Sequence, residues 1–459
     1  MKAKGVQANI TIYEEKDGVG GRMLLGRNKA TSLLQEFSKI SPEDVASGNL
    51  LHNKILRERD AKWLGDEFGK NWKTNIKTSS VGFFDGEKII SAATRPINKS
   101  GWSEWLGRIF KYGASVWRAR KLPTGTMEGF QKLLDLEGRY DDVGQMLAAT
   151  ENGNPVARTA VERLKLNGLS QEYVREVLGP QVKRHTGQDI EELSDLALSM
   201  ALDREDQGSQ ISDVDGSLTT VLSTFGDLSR AGLKFSTKVS ALRREMVTEG
   251  NESWILEYSD TENRGPPSYE MFDKVIIAAP WNTSALLSPE TSPDYEQIQY
   301  RSQWVTLFIS NTTLNTNYFG SSETLPAQIL PIPSSKLIQP FQGIQEIAHL
   351  KEIARFDHFT GKYHMDHLYR ILSDHKIDKP TIYQLSQGFD HQPKPIFHQE
   401  EIEKAFSLLY ARGGGFPGFK IADGLWHTST VESIGSSVDL SWVAGENVAR
   451  LVGKEIQTD

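Results

Sequence analysis

The segment Asn9-Ile-Thr-Ile-Tyr-Glu-Glu alternates apolar and polar residues and ends in acids, which predicts a strand presenting Glu14 or Glu15 at its carboxyl end. A glycine turn, Gly18-Val-Gly20-Gly21-Arg22, follows at once. Val81 to Ile90 carries apolar flanks on either side of Asp85-Gly86 and predicts a hairpin. From Gly101 to Lys121, residues at Trp102, Trp105, Leu106, Ile109, Gly113 and Val116 recur at helical spacing, with Arg108, Lys111, Arg118, Arg120 and Lys121 elsewhere. That predicts one basic, aromatic amphipathic helix. Packing on a core, lining an apolar channel and touching a membrane surface are all open to it.

Residues 125–210 are mostly helical in pattern. A helix then follows Asp213-Val-Asp-Gly-Ser217, and Gly232 to Leu242 reads as a strand. Phe272-Asp-Lys-Val-Ile-Ile-Ala-Ala-Pro280 has a charged start, a continuous apolar run and a terminal proline, the pattern of a buried parallel strand. Tyr300 to Phe308 is a further strand.

At 459 residues the chain exceeds one ordinary domain, and its 38% hydrophobic and 24% charged residues are those of a globular protein. The net charge of -8 is spread without a basic block, which sets nucleic acid aside as a partner. With no cysteine, disulfides, cysteine nucleophiles and thiolate-bound metals are excluded. No apolar run approaches the roughly 20 residues of a membrane span, and the first residues carry no signal-peptide core. Five Asn-x-Ser/Thr sites, at Asn9, Asn98, Asn251, Asn282 and Asn311, are a faint secretory hint. The histidines of residues 310–400 lack a helical His-x-x-x-His pair backed by a glutamate, so no metal site is expected.

An acid at the end of a Rossmann strand accepts hydrogen bonds from a ribose hydroxyl, and Glu14 is the better placed of the two. Gly20 and Gly21 let backbone approach a pyrophosphate, and Arg22 supplies a charge to neutralise it. The competing reading is an exposed hairpin with an incidental arginine. Gly413 to Gly418 also matches Gly-x-Gly-x-x-Gly, but no apolar strand leads into it and Pro417 opposes a helix there, so a loop is expected.

The run Tyr13-Glu-Glu-Lys-Asp-Gly-Val-Gly-Gly-Arg22 resembles the second-strand motif of FAD-dependent amine oxidases and prenylcysteine oxidases. In those families a strand and a Gly-x-Gly-x-x-Gly helix come first, and only thirteen residues precede Glu14 here. The resemblance implies further matches: a turn and helix beside the flavin over 46–70, and a motif ending a helix at Gly179 to Gln188, where Thr186 replaces the family tyrosine. By the same resemblance, Val239 matches the valine whose backbone receives the adenine, whereas Asp215-Gly216-Ser217 departs from the family's Gly-Gly-Asn. His185 and Gln188 face substrate or are structural.

The most specific match is Asp423 to Ala449, which resembles the prenylcysteine-oxidase ending, with Asp439 in place of its second glutamate. Glu432 is expected to follow a short strand and open a helix. Its neighbours' N–H groups, on Ser433 and Ile434, would then converge near the flavin, and its carboxylate would accept from ribityl hydroxyls.

The resemblance implies an α/β fold: a Rossmann-like FAD-binding domain, N-terminally incomplete, over 1–80, 211–290 and 401–459. Interleaved with it is an α+β substrate domain over 81–210 and 291–400. It implies FAD as cofactor, with contacts at Glu14, Gly20, Gly21, Arg22, Val239 and Glu432, and no side-chain nucleophile. The implied substrate is a farnesyl- or geranylgeranyl-cysteine, cleaved with molecular oxygen to a prenyl aldehyde, cysteine and hydrogen peroxide. Peripheral membrane contact and a lysosomal or vacuolar location follow by analogy. Two alternatives stand beside it: a flavin oxidase of another lipophilic or terpenoid metabolite, and an inactive remnant unable to bind FAD.

Overall fold

The computed structural model describes residues 8–23, 80–94, 102–150, 153–206, 222, 225–227, 229–248, 251–262, 265–280, 286, 298–322, 324–333, 340–357, 361–386 and 396–458. The expected turn and helix over 46–70 and the turn at 213–217 lie outside them.

The elements run β1 (Thr11–Tyr13), β2 (Ser80–Phe84), β3 (Ile89–Thr94), α1 (Trp102–Tyr112), α2 (Ser115–Leu134), α3 (Val143–Ala148), α4 (Ala160–Leu166), α5 (Gly179–Thr186) and α6 (Asp195–Asp206). Next come β4 (Gly232–Lys234), β5 (Thr237–Thr248), β6 (Asn251–Asp260), β7 (Ser268–Phe272), β8 (Val275–Ile277), β9 (Tyr300–Ser310), β10 (Gln328–Pro331), β11 (Ile344–Asp357) and β12 (Lys362–Ser373). The chain ends with α7 (Lys379–Leu385), β13 (Ile396–Ser407), β14 (Lys420–Ala422), β15 (Leu425–His427) and α8 (Val438–Thr458).

The strands form four sheets among the described residues. The largest has seven, in the order β13-β9-β12-β11-β10-β2-β3. β1 pairs in parallel with β4, β8 in parallel with β15 beside β14, and β5, β6 and β7 make an antiparallel ladder. Strands far apart in sequence therefore meet in parallel, the mark of an α/β crossover arrangement. The expected hairpin is β2 and β3, with Asp85 Oδ1 accepting the N–H groups of Glu87 and Lys88 across its turn.

The single helix expected over 101–121 is two. Gly113, at φ +58, breaks it, and α2 then continues to Leu134 through Pro123. Glycine takes that left-handed conformation without the Cβ clash other residues meet. Tyr112, Val116, Ala119 and Leu122 are buried, whereas Phe110 is 88% and Trp117 43% exposed. The helical pair thus packs on a core with one edge and leaves two aromatic rings outside it.

One apolar cluster joins Met127, Phe130 and Leu133 of α2 to Leu196 and Met200 of α6, to Trp426, Val431 and Ile434, and to Leu440 and Val443 of α8. A second, of Val305, Leu307, Leu368, Leu372, Ile402 and Phe406, covers one face of β9, β12 and β13. α5 sits against the same sheet, where Arg184 donates to Glu346 Oε1 at 3.0 Å and to Gln328 Oε1 at 2.7 Å. Arg370 Nη2 holds the other Glu346 oxygen at 2.6 Å. Burial opposes ionisation of this carboxyl, but Arg370 and Arg184 outweigh it and hold Glu346 below the usual carboxylate range.

The apolar run before Pro280 supplies β8, only three residues long, and Ile276 is exposed; its pairing with β15 is parallel, as the sequence predicts. Gly413 to Gly418 leads into strand β14 and opens no helix, consistent with a loop.

Candidate flavin site

β1 is short, and its end is fixed by side chains rather than by length. Tyr13 donates to Glu270 of β7, and Lys234 of β4 reaches the same carboxylate at 2.5 Å and the Tyr13 hydroxyl at 3.2 Å. Glu14 follows directly. Its N–H donates to the Lys234 carbonyl at 2.9 Å, and its Oε1 accepts the Lys16 N–H at 2.9 Å. Burial pushes the Glu14 carboxyl up, against the Lys16 N–H that favours the charge. Gly20 and Gly21 have φ of +138 and +52, and open space surrounds the position a Gly21 Cβ would take. A backbone with that conformation and no side chain is what close approach of a phosphate needs.

Val239 lies on β5 opposite Tyr258, beside a register shift between Val239 and Ala241. It packs in the cluster of Leu242, Trp254, Ile277 and Leu425, which also takes in Tyr13. Five of the six cofactor-contact residues named from the sequence thus fall on two joined pieces, β1 with its turn and the ladder beside it.

The sixth, Glu432, arrives from the other end of the chain. β15 delivers it: the Thr428 N–H donates to the Ile277 carbonyl at 3.0 Å and the Ser429 hydroxyl to the Ala279 carbonyl at 2.8 Å. Glu432 does not open the long helix, contrary to expectation. It lies within a 3₁₀ turn over Ser429–Ser433, and α8 begins only at Val438. The Ile434 N–H is used within that turn, donating to the Val431 carbonyl at 3.0 Å, so it does not point at a ligand.

Arg22 ties the two ends together. Its Nη2 donates to Glu432 Oε1, and its Nη1 donates to the Lys404 carbonyl at 3.2 Å and, more weakly, toward that of Ala405 at 3.5 Å. The acceptors exist because β13 carries a bulge between Ile402 and Phe406, with Lys404 at φ +53, which takes those carbonyls out of the ladder. Nothing in the sequence pattern marks this bulge. Beyond it, Phe406 lies over Gly187, and the buried Ser407 hydroxyl pairs with Ser436 at 3.0 Å. Leu409 N–H donates to Gln188 Oε1 at 2.8 Å, so the helix-ending motif of α5 reaches the same strand end.

The donor set fits a flavin's polar tail. Glu432 is 3% exposed, yet its Oε2 has no hydrogen-bond partner among the described residues, and neither have the buried Thr430 and Ser433 hydroxyls or Gln188 Nε2. Buried polar atoms without partners cost free energy unless something completes them. Four lie on the two segments, 186–188 and 429–433, that flank the β13 end. Thr430 was not singled out from the sequence and Ser433 only for its N–H; lying two and one residues from Glu432, their hydroxyls were legible only as companions of that acid. Asn447, by contrast, is structural, bonding both Tyr140 N–H and carbonyl at 2.9 Å.

His427 accepts the Ser429 N–H at Nδ1, 3.0 Å, and burial pulls its pKa down to about 3. It is neutral where it sits. His349 and His367 meet at 3.3 Å across β11 and β12, and burial, then the neighbouring His367, lowers His349. Among the described residues no three metal-ligating side chains converge, and no helix is long and apolar enough to cross a membrane.

The family model of prenylcysteine lyase matches residues 98–459. Farnesylcysteine lyase of Arabidopsis thaliana is 24% identical over 98% of this chain and 83% of its own. Prenylcysteine oxidase 1 of Homo sapiens is 22% identical over 97% of this chain and 84% of its own. Among solved structures, a triple mutant of putrescine oxidase superposes with TM-score 0.54 at 11% identity, covering 99% of this chain and 95% of that one. Putrescine oxidase bound to putrescine gives 0.51 at 12%, covering 98% and 93%. At that identity the likeness establishes the fold alone, a mixed α/β architecture.

Proposed function

The chain belongs to the prenylcysteine lyase family, and from that premise we propose that it is an FAD-dependent oxidase cleaving the thioether of a prenylated cysteine. The observation that carries this reading is the set of unpartnered buried polar atoms around Glu432, on the block that best matches the family. Glu432, Thr430 and Ser433 would hold the ribityl chain, Arg22 and the Gly20–Gly21 backbone the pyrophosphate, Glu14 a ribose hydroxyl and the Val239 backbone the adenine. In this reading 1–80, 211–290 and 401–459 form the cofactor-holding part and 81–210 and 291–400 the substrate part, except that β13, which runs to Ser407, belongs with the seven-stranded sheet.

A flavin held by these residues would supply the two-electron acceptor chemistry, with oxygen as the terminal oxidant. The overall change is prenylcysteine plus water plus oxygen to prenyl aldehyde, cysteine and hydrogen peroxide. The bond broken joins sulfur to the prenyl carbon, and the sulfur leaves with a proton from water.

The protein's own part is placement. Arg22 fixes Glu432 by a charge-assisted bond, so the carboxylate presents its second oxygen in one direction. α5 is clamped to the sheet through Arg184 and Glu346, which sets Gln188 Nε2 beside the β13 end. Leu307, Leu368 and Phe406 form the buried apolar core that backs those groups. No side-chain nucleophile is needed, and neutral His427 does not compete as one.

The test is to purify the chain with added FAD, supply farnesylcysteine, and assay for peroxide and prenyl aldehyde. Equimolar formation of both supports the proposal. Absence of both from a flavin-loaded preparation sinks the substrate assignment, and activity on a different terpenoid thioether or amine would replace it.

A further inference from the structure

A separate cavity of about 280 Å³ lies among α2, α3, the segment Gly153–Arg158 and the starts of α4 and α6. It exists because α2 presents Gly125 and Gly129 toward it; a Cβ at Gly125 would meet nothing within 4 Å. One side is apolar, with Phe130, Leu133 and Leu196, members of the core cluster that also backs Val431 and Ile434. That shared core lies behind the Glu432 turn, and none of the cavity lining belongs to the flavin site described above.

The other side is charged and imperfectly paired. Buried Asp195 faces Arg158 Nη1 and Arg163 Nε at 3.7 Å each, too long for hydrogen bonds. Its closer partners are Ser199, whose hydroxyl donates at 3.2 Å, and the Thr126 side chain on the cavity wall. Arg163 Nη2 is satisfied by the Leu122 carbonyl at 3.0 Å, but its buried Nε has no hydrogen-bond partner among the described residues. Two guanidiniums against one carboxylate leave an excess positive charge at the edge of an apolar pocket. Burial raises the Asp195 pKa, and Arg163, Ser199, Arg158 and Thr126, which favour the charged form, offset that only in part.

We propose that this cavity is a second ligand site, taking a small aliphatic monocarboxylate whose anionic head lies between Arg158 and Arg163 and whose tail lies on Phe130, Leu133 and Leu196. At about 30 Å³ per water, the volume holds roughly nine waters, close to the eight or so non-hydrogen atoms of hexanoate. The charged rim selects a carboxylate over an alcohol, and the closed apolar end limits chain length.

Calorimetric or ligand-detected NMR titration of the flavin-loaded full-length chain with hexanoate tests this, with hexanol as the uncharged control. Saturable hexanoate binding near about 1 mM or tighter is expected, with hexanol at least tenfold weaker. Arg158→Gln and Arg163→Gln should each weaken hexanoate at least tenfold, and Arg158, half-exposed, is the less buried of the two, so its variant is the one scored, with its unfolding midpoint read alongside. Gly125→Phe should weaken it at an unchanged unfolding midpoint. No saturable binding to the unsubstituted chain, equal binding of hexanol, or affinity held within twofold in Arg158→Gln would each overturn the proposal.

Discussion

Arg22 and Glu432, 410 residues apart in sequence, form an ion pair in which the arginine is 18% exposed and the glutamate 3%. The pair joins segments near the two ends of the sequence and leaves the other carboxylate oxygen buried without a partner among the described residues. Arg22→Met leaves a buried carboxylate without its countercharge, a change that costs roughly 3–5 kcal/mol where burial is complete. Denaturant titration should show a large loss, and flavin retention should fall with it. Glu432→Gln, which keeps the shape and removes the charge, should cost less stability and still lower flavin content.

His427 gives the pH dependence. Its pKa in the fold, about 3, is below the ordinary 6.5, so the unfolded chain takes up a proton first as pH falls. The stability contribution is fully present above 6.5 and is lost on acidification until the folded form also protonates near 3. In that window the expected slope from this residue is about 1.4 kcal/mol per pH unit. Urea midpoints from pH 7.5 to 4.5 read it, and His427→Asn should flatten the profile.

What the sequence offers of the candidate site is local: glycines, an acid at a strand end and an arginine just beyond them. Glu14, Gly20, Gly21 and Arg22 lie on one short segment, and β1 beside β4 places them as the alternation predicts. The 3₁₀ turn at Ser429–Ser433 was misread as a helix start, since an acid after a strand looks the same in either. The Lys404 bulge was not read: Glu403-Lys404 followed by Ala405-Phe406 breaks strict alternation without saying where the strand kinks, and only packing turns those carbonyls toward Arg22. The break at Gly113 was hidden by apolar periodicity that runs on through it, although a lone glycine inside a helix is a weak warning.

Gly187 ends α5 at φ +67, and a Cβ there would come within 2.9 Å of the Phe406 ring. Gly187→Ala is expected to cost about 1–2 kcal/mol from backbone conformation alone. Displacing Phe406 should also shift the visible spectrum of bound flavin, a change that a remote destabilising substitution would not produce.

Glu346 balances two buried guanidiniums, so Glu346→Leu should destabilise by roughly 3–5 kcal/mol, read as a fall in the denaturation midpoint. Replacing Arg184, Glu346 and Arg370 together by Met, Leu and Met should restore most of that loss. Restoration would mark the cluster as a clamp for α5.

Anaerobic mixing of the flavin-loaded protein with farnesylcysteine tests the central claim most directly, because one absorbance trace reads cofactor binding and hydride transfer together. The visible flavin band is expected to bleach in proportion to substrate and to return when oxygen is admitted, with Glu432→Gln showing little band to bleach. A preparation that retains no flavin, or one whose band is unchanged by excess farnesylcysteine, would contradict it.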